Sequence, residues 1–116
     1  MDIYHIWCNL KSGVKDVPFC ERVDAYLGQL RSEQRIADYR ITRRKLGLGP
    51  PQLGEFHIAI EVADLAQLET AFQHVARRAG PIEGLHQAVN SQVTDFTAAL
   101  YRDFPDPMRE RGEERF

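Results

Sequence analysis

The chain has 116 residues, 43% of them hydrophobic and 28% charged, which fits one globular domain rather than a disordered or fibrous chain. Fifteen basic and seventeen acidic residues leave a net charge of −2, so no global field marks it as a nucleic-acid or membrane-surface binder. No apolar run approaches the ~20 residues of a membrane helix, and no secretory leader pattern opens the chain.

Cys8 and Cys20 form neither a CxxC pair nor a metal spacing. Two buried, reduced thiols in a cytoplasmic protein are the simplest expectation.

Asp2 to Asn9 is rich in Ile, Tyr and Trp and ends before Lys11-Ser12-Gly13, which predicts a strand. Asp16 offers an N-cap, with Pro18 in the first turn. Phe19, Val23, Tyr26, Leu27 and Leu30 follow at spacings of three and four, an amphipathic helix. From Ile36 the pattern turns to alternation through Tyr39, Ile41 and Arg43, a second strand reaching Lys45. Leu46 to Gly54 holds three glycines and two prolines and reads as a stiff hairpin loop. Glu55 to Val62 then alternates cleanly, with Phe56, Ile58, Ile60 and Val62 on one face. Asp64 and Gln67 have capping-box spacing. Leu65, Leu68, Phe72, Val75 and Ala76 predict a second amphipathic helix, with Gly80 and Pro81 as its stop. Leu85 to Val93 is expected to be the fourth strand, and Thr94 to Arg102 a third helical stretch. Residues 1–102 thus form the domain, and 103–116 a charged tail with Phe104, Met108 and Phe116 as apolar anchors that would dock on a partner subunit.

This order is the ferredoxin-like βαββαβ arrangement, an α+β fold with a four-stranded antiparallel sheet and two helices on one face. The apolar face of the third strand should meet the helices, and Tyr4, Ile6 and Cys8 should point the same way. Ile3, His5, Trp7, Asn9, His57, Ala59 and Glu61 then lie on the open face. That face is too apolar to sit wholly in water and too polar for a dry core. Two sheets packed face to face would cover it and enclose a pocket, giving a homodimer.

The candidate ligand contacts follow from that face: His5, Trp7, Arg40, Arg44, His57, Glu61, His86 and Asn90. His57 and His5 are the best proton-transfer groups, with hydrogen-bonded structural histidines as the bland reading. His57 and Glu61 on one strand would be ~13 Å apart, too far to share a metal, and no HExxH motif occurs, so no metal is expected. The basic residues Arg40, Arg43, Arg44 and Lys45 could hold an anion or simply protect an edge strand from intermolecular pairing. Aromatics do not interleave with them, so nucleic acid is not expected. The glycine loop matches neither GxGxxG nor GxxxxGK[ST], and no motif frames Ser91 or Thr42 as a nucleophile. No cofactor is expected.

The stretches YHIWCNLK, TRRKLGLGPP, EFHIAIEV, GLHQAVN and ALYRDFPDP resemble, over essentially the whole chain, a bacterial family of dimeric ferredoxin-like proteins with no assigned activity. The architecture is similar, more broadly, to the dimeric α/β-barrel superfamily. The resemblance implies the fold and the dimer. The superfamily's range, from cofactor-free monooxygenases and lactone isomerases to haem-degrading enzymes and amino-acid-binding regulatory domains, implies no single reaction. The expected function is binding of a partly apolar small molecule, with cofactor-independent oxygenation or isomerisation if the protein is an enzyme. A non-catalytic sensing module or a purely structural dimer is the alternative.

Overall fold

A computed structural model describes residues 1–108. The elements run β1 (Asp2–Leu10), α1 (Asp16–Ser32), β2 (Asp38–Arg43), β3 (Phe56–Val62), α2 (Leu65–Ala76), α3 (Gly80–Asn90) and β4 (Val93–Arg102). The four strands form one antiparallel sheet in the order β2-β3-β1-β4. This is the ferredoxin-like α+β fold, with three helices. The last eight residues of the expected tail, Phe116 among them, lie outside the described residues.

Alternation in β3 decides which face is dry. Phe56, Ile58, Ile60 and Val62 are all buried, while His57, Ala59 and Glu61 between them are partly exposed. Opposite them, Phe19, Val23, Leu27 and Leu30 form the buried stripe of α1, at spacings of three and four. Phe19 is fully buried and meets Phe56 edge to face, with ring centres 5.4 Å apart. Burying side chains of this size stabilises the fold by roughly 1.5–3 kcal/mol each. Tyr4, Ile6 and Cys8 of β1 join the same core.

Local rules explain the element ends. Asp64 caps α2 by accepting from the Gln67 N–H at 2.9 Å, and the Gln67 side chain accepts from the Ala63 N–H at 2.7 Å. Lys15, not Asp16, is the N-cap of α1. Asp16 accepts from the Val17 N–H and pairs with Arg43 at 2.8 Å. Among the described residues β2 pairs only with β3 and is a sheet edge, as the βαββαβ topology implied. The loop after it is held from inside: the Arg44 guanidinium donates to the carbonyls of Pro50 (2.8 Å) and Leu53 (2.7 Å). Gly54 is required by a close approach, since a Cβ there would press on the Cys8 backbone.

Two expected elements are corrected. Residues 80–90 are helix α3, and the fourth strand is Val93–Arg102, where helix was expected. Pro81 sits in the first turn of α3 and starts it, rather than stopping α2 from a loop. Ile82, Leu85, His86 and Val89 then share one helical stripe, with α3 lying chiefly against α1. β4 is held by its ladder to β1, with a bulge opposite Cys8 where Asp95 takes φ 56°. Asn9 bridges this point. It donates to Asp95 at 3.0 Å and accepts from the Glu55 N–H at 2.8 Å.

Candidate functional sites on the two faces of the sheet

The open face carries a side-chain lattice set by register. One row reads Thr42, His57, Trp7, Thr97, and the next Arg40, Ala59, His5, Ala99. The third reads Asp38, Glu61, Ile3, Tyr101. His5 and His57 therefore lie on neighbouring strands, diagonally placed. His5 Nδ1 and His57 Nε2 are 2.8 Å apart. Their ring centres are 5.1 Å apart and their planes within 10°, so the imidazoles meet edge to edge. The Trp7 indole is within 16° of parallel to both, 4.9 Å from His57 and 5.6 Å from His5. Tyr101 stands edge-on to His5 at 5.1 Å. On its far side, His57 Nδ1 is 3.3 Å from Thr42 Oγ1. Burial, and after it the neighbouring His5, lower the pKa of His57 below the ordinary imidazole value.

Of the residues singled out by sequence, the structure brings His5, Trp7 and His57 together here. Arg40 and Glu61 lie on the same face. Arg40 makes no hydrogen bond or ion pair among the described residues. Arg44 is not brought to the site, because its guanidinium closes the 44–55 loop. His86 and Asn90 are corrected: both belong to α3, on the opposite side of the sheet. Tyr101 and Thr97 were missed because β4 was expected to be helical. Their alternation with Phe96, Ala98 and Leu100 was the available signal.

The second site lies between the sheet and the helices, where no pocket was expected. A cavity of about 300 Å³ is lined by apolar side chains from β1, β3, α1 and α2, including Ile6, Ile58 and Ala71. Its polar groups are Tyr4, Tyr26, His86 and Asn90, with the Cys8 thiol. The Tyr26 and His86 rings are 5.5 Å apart. Burial pushes the Tyr26 phenol up to about 12 and the Cys8 thiol up to about 11. Both therefore stay protonated at neutral pH. His86 Nδ1 is buried with no hydrogen-bond partner among the described residues. The exposed lining residues Phe72, Asn90 and Phe96 mark where the cavity meets solvent. α2 touches the sheet and α3 only sparsely, which leaves this space unfilled.

Among the described residues no group of three or more His, Cys, Asp or Glu is placed to hold a metal ion. No helix among them is long and apolar enough to cross a membrane.

The fold defines the class, a ferredoxin-like α+β protein. A match over residues 1–116 shows that the chain belongs to the family of unknown function DUF6614. No curated protein matches it significantly. Among solved structures it is similar to At3g17210 from Arabidopsis thaliana (TM-score 0.71, 10% identity, 93% of this chain and 100% of that one). It is also similar to a dimeric ferredoxin-like protein of unknown function from Jannaschia sp. CCS1 (0.64, 12%, 89% and 100%). A third is a Deinococcus radiodurans protein described as a candidate antibiotic biosynthesis monooxygenase (0.52, 17%, 97% and 100%). At these identities the likenesses show the fold alone.

Proposed function

We propose that the protein is a homodimer joined through its open sheet faces, each subunit holding a partly apolar small molecule in the cavity beneath its helices. The cavity carries this reading. Its volume of about 300 Å³ reaches the lower size of ligand pockets, and apolar walls with a few converging polar groups are the usual composition of such sites. Tyr26, protonated at neutral pH, can donate to a ligand oxygen. His86 Nδ1, without a partner among the described residues, can exchange a hydrogen bond or a proton with it. That pair suits isomerisation or cofactor-independent oxygenation, both of which begin with proton transfer. The dimer is supported by Ile3, Trp7 and Tyr101 on the open face and by the dimeric Jannaschia relative. In this reading the segment after Asp103, where Phe104 and Met108 are 77% and 93% exposed, docks on the second copy, and the protein works in the cytoplasm.

Native mass spectrometry of the freshly purified protein tests the ligand. A small-molecule adduct on each subunit is expected, and Ala71→Leu should remove it while leaving the dimer intact. An adduct that survives Ala71→Leu undiminished would place the ligand elsewhere. Turnover of the identified compound would separate an enzyme from a sensing module.

A further inference from the structure

On the open face, Thr42, His57 and His5 form a hydrogen-bonded line whose direction follows from proton counting. Thr42 Oγ1 lies 3.3 Å from the His57 carbonyl oxygen and 3.3 Å from His57 Nδ1. A carbonyl can only accept, and a hydroxyl carries one proton. Both contacts are hydrogen bonds only if Thr42 donates to the carbonyl and His57 Nδ1–H donates to Thr42. Neutral His57 then has a bare Nε2, which must accept from His5 Nδ1–H across the 2.8 Å contact. Neutral His5 is left with a bare Nε2, which makes no hydrogen bond among the described residues.

The surroundings of His5 complete a site. Its neighbours across both adjoining strands are alanines, Ala59 and Ala99, so His5 stands in a shallow furrow. His57 meets His5 edge to edge, the Trp7 indole runs nearly parallel to both rings, and Tyr101 stands edge-on to His5 at 5.1 Å. Arg40 is Ala59's partner on the next strand, two strand spacings (~10 Å) from His5. Its guanidinium, without an ion pair among the described residues, can extend over the alanine. One row away Asp38 and Glu61 are register partners, with the Asp38 carboxylate accepting from Arg31 at 3.0 Å, and beyond Trp7 the Asp95 carboxylate is bonded to Asn9.

We propose that this furrow is a second small-molecule site, distinct from the helix-side cavity, that takes planar weak acids bearing an aromatic or enolic O–H. His5 Nε2 accepts the O–H proton. The O–H bond breaks, an N–H bond forms at His5, and the resulting oxyanion is held between the imidazolium and Arg40. The His5 Nδ1–H bond to His57 stabilises the charge on His5. His57 and Thr42 are positioning residues that fix the tautomer. The proposal rests on the face-to-face dimer of the proposed function, in which the furrow opens into the space enclosed between the two sheets, and it does not depend on occupancy of the helix-side cavity.

The probe is 4-nitrophenol, whose phenolate is coloured, titrated with protein at a pH where half of the free probe is ionised. Bound probe should be at least ~80% phenolate. His5→Gln should abolish this shift, Arg40→Gln should weaken binding ~3–10-fold, and Ala71→Leu should change nothing. Absence of the shift in the wild type, or its survival in His5→Gln, overturns the proposal. Loss in Ala71→Leu would assign the probe to the cavity and overturn it equally. Imidazole ¹⁵N NMR of the unaltered protein gives a check that needs no variant. Nδ1–H is expected on both rings, and an Nε2–H on neutral His57 would reverse the line and refute the assignment.

Discussion

Replacing Ala71 by leucine probes the helix-side cavity without touching a polar group. Ala71 lies on α2, is 5% exposed, and lines the cavity. Leucine is nearly as good a helix former as alanine and adds three carbons into a space of about 300 Å³. At about 0.8 kcal/mol per buried carbon the gain is about 2.4 kcal/mol. Ordering the leucine side chain costs about 0.5–1 kcal/mol, so a net stabilisation of about 1.5 kcal/mol is expected. With an unfolding entropy of about 2.1 cal/mol/K per residue, a chain of 116 residues should melt about 6 °C higher. Differential scanning calorimetry on ligand-free protein measures this directly. In a solidly packed layer the same change would overpack and cost about 1–3 kcal/mol. A lowered melting temperature would therefore refute the cavity and the ligand reading together.

Trp7→Glu places a charge at the centre of the open face and should convert a dimer of 13.3 kDa subunits to monomer in sedimentation equilibrium at micromolar concentration. A wild type that is itself monomeric there would sink the dimer. Gly54→Ala should cost about 1–3 kcal/mol in a denaturant titration, because the new methyl group meets the Cys8 backbone; an unchanged midpoint would contradict the packing at that loop. Asp2 is 3% exposed and accepts from Arg102 Nε at 2.6 Å. That bond holds its carboxyl below the usual 3.8, so the stabilisation is present above the unfolded value and fades as pH falls through the folded one. Asp2→Asn should melt several degrees lower at neutral pH and lose less stability on acidification. Parallel melting curves from pH 7 to 2.5 would remove that role.

The fold was legible wherever periodicity was strong. The alternation of Phe56, Ile58, Ile60 and Val62 against His57, Ala59 and Glu61 identified both a strand and its dry side. The α1 stripe from Phe19 to Leu30 identified its partner. The failure fell between residues 80 and 102. Gly80-Pro81 reads equally well as the end of one helix or the first turn of the next, since proline lacks only an N–H that a first turn leaves unused. Ile82, Leu85, His86 and Val89 have helical spacing, but Gln87 and Asn90 obscured it. In Val93–Arg102 the helix-forming Ala98, Ala99 and Leu100 outweighed an alternation that the ladder to β1 enforces, a tertiary override of local propensity.

The misassigned strand had a chemical consequence. With residues 85–93 taken as a strand, His86 and Asn90 joined His5 and His57 in a single imagined pocket. As a helix, the same residues lie across the sheet from them, and the titratable groups divide into two sets on opposite faces of the sheet. On the helix side, Tyr26, Cys8 and His86 sit among apolar side chains, where burial keeps the phenol and thiol protonated and favours a neutral ligand. On the open side, two imidazoles bond to each other on the face that also carries Arg40, which has no ion pair among the described residues, so the electrostatics favour an anion. The division was invisible in the sequence because it depends on which residues near 85–93 alternate at a period of two and which at 3.6. One shift of period moves a histidine through the sheet. The two sets predict opposite ligand preferences, so a neutral apolar compound and a weak acid should bind the same dimer without competing. Isothermal titration of each in the presence of the other is the measurement, and mutual exclusion would collapse the two sites into one.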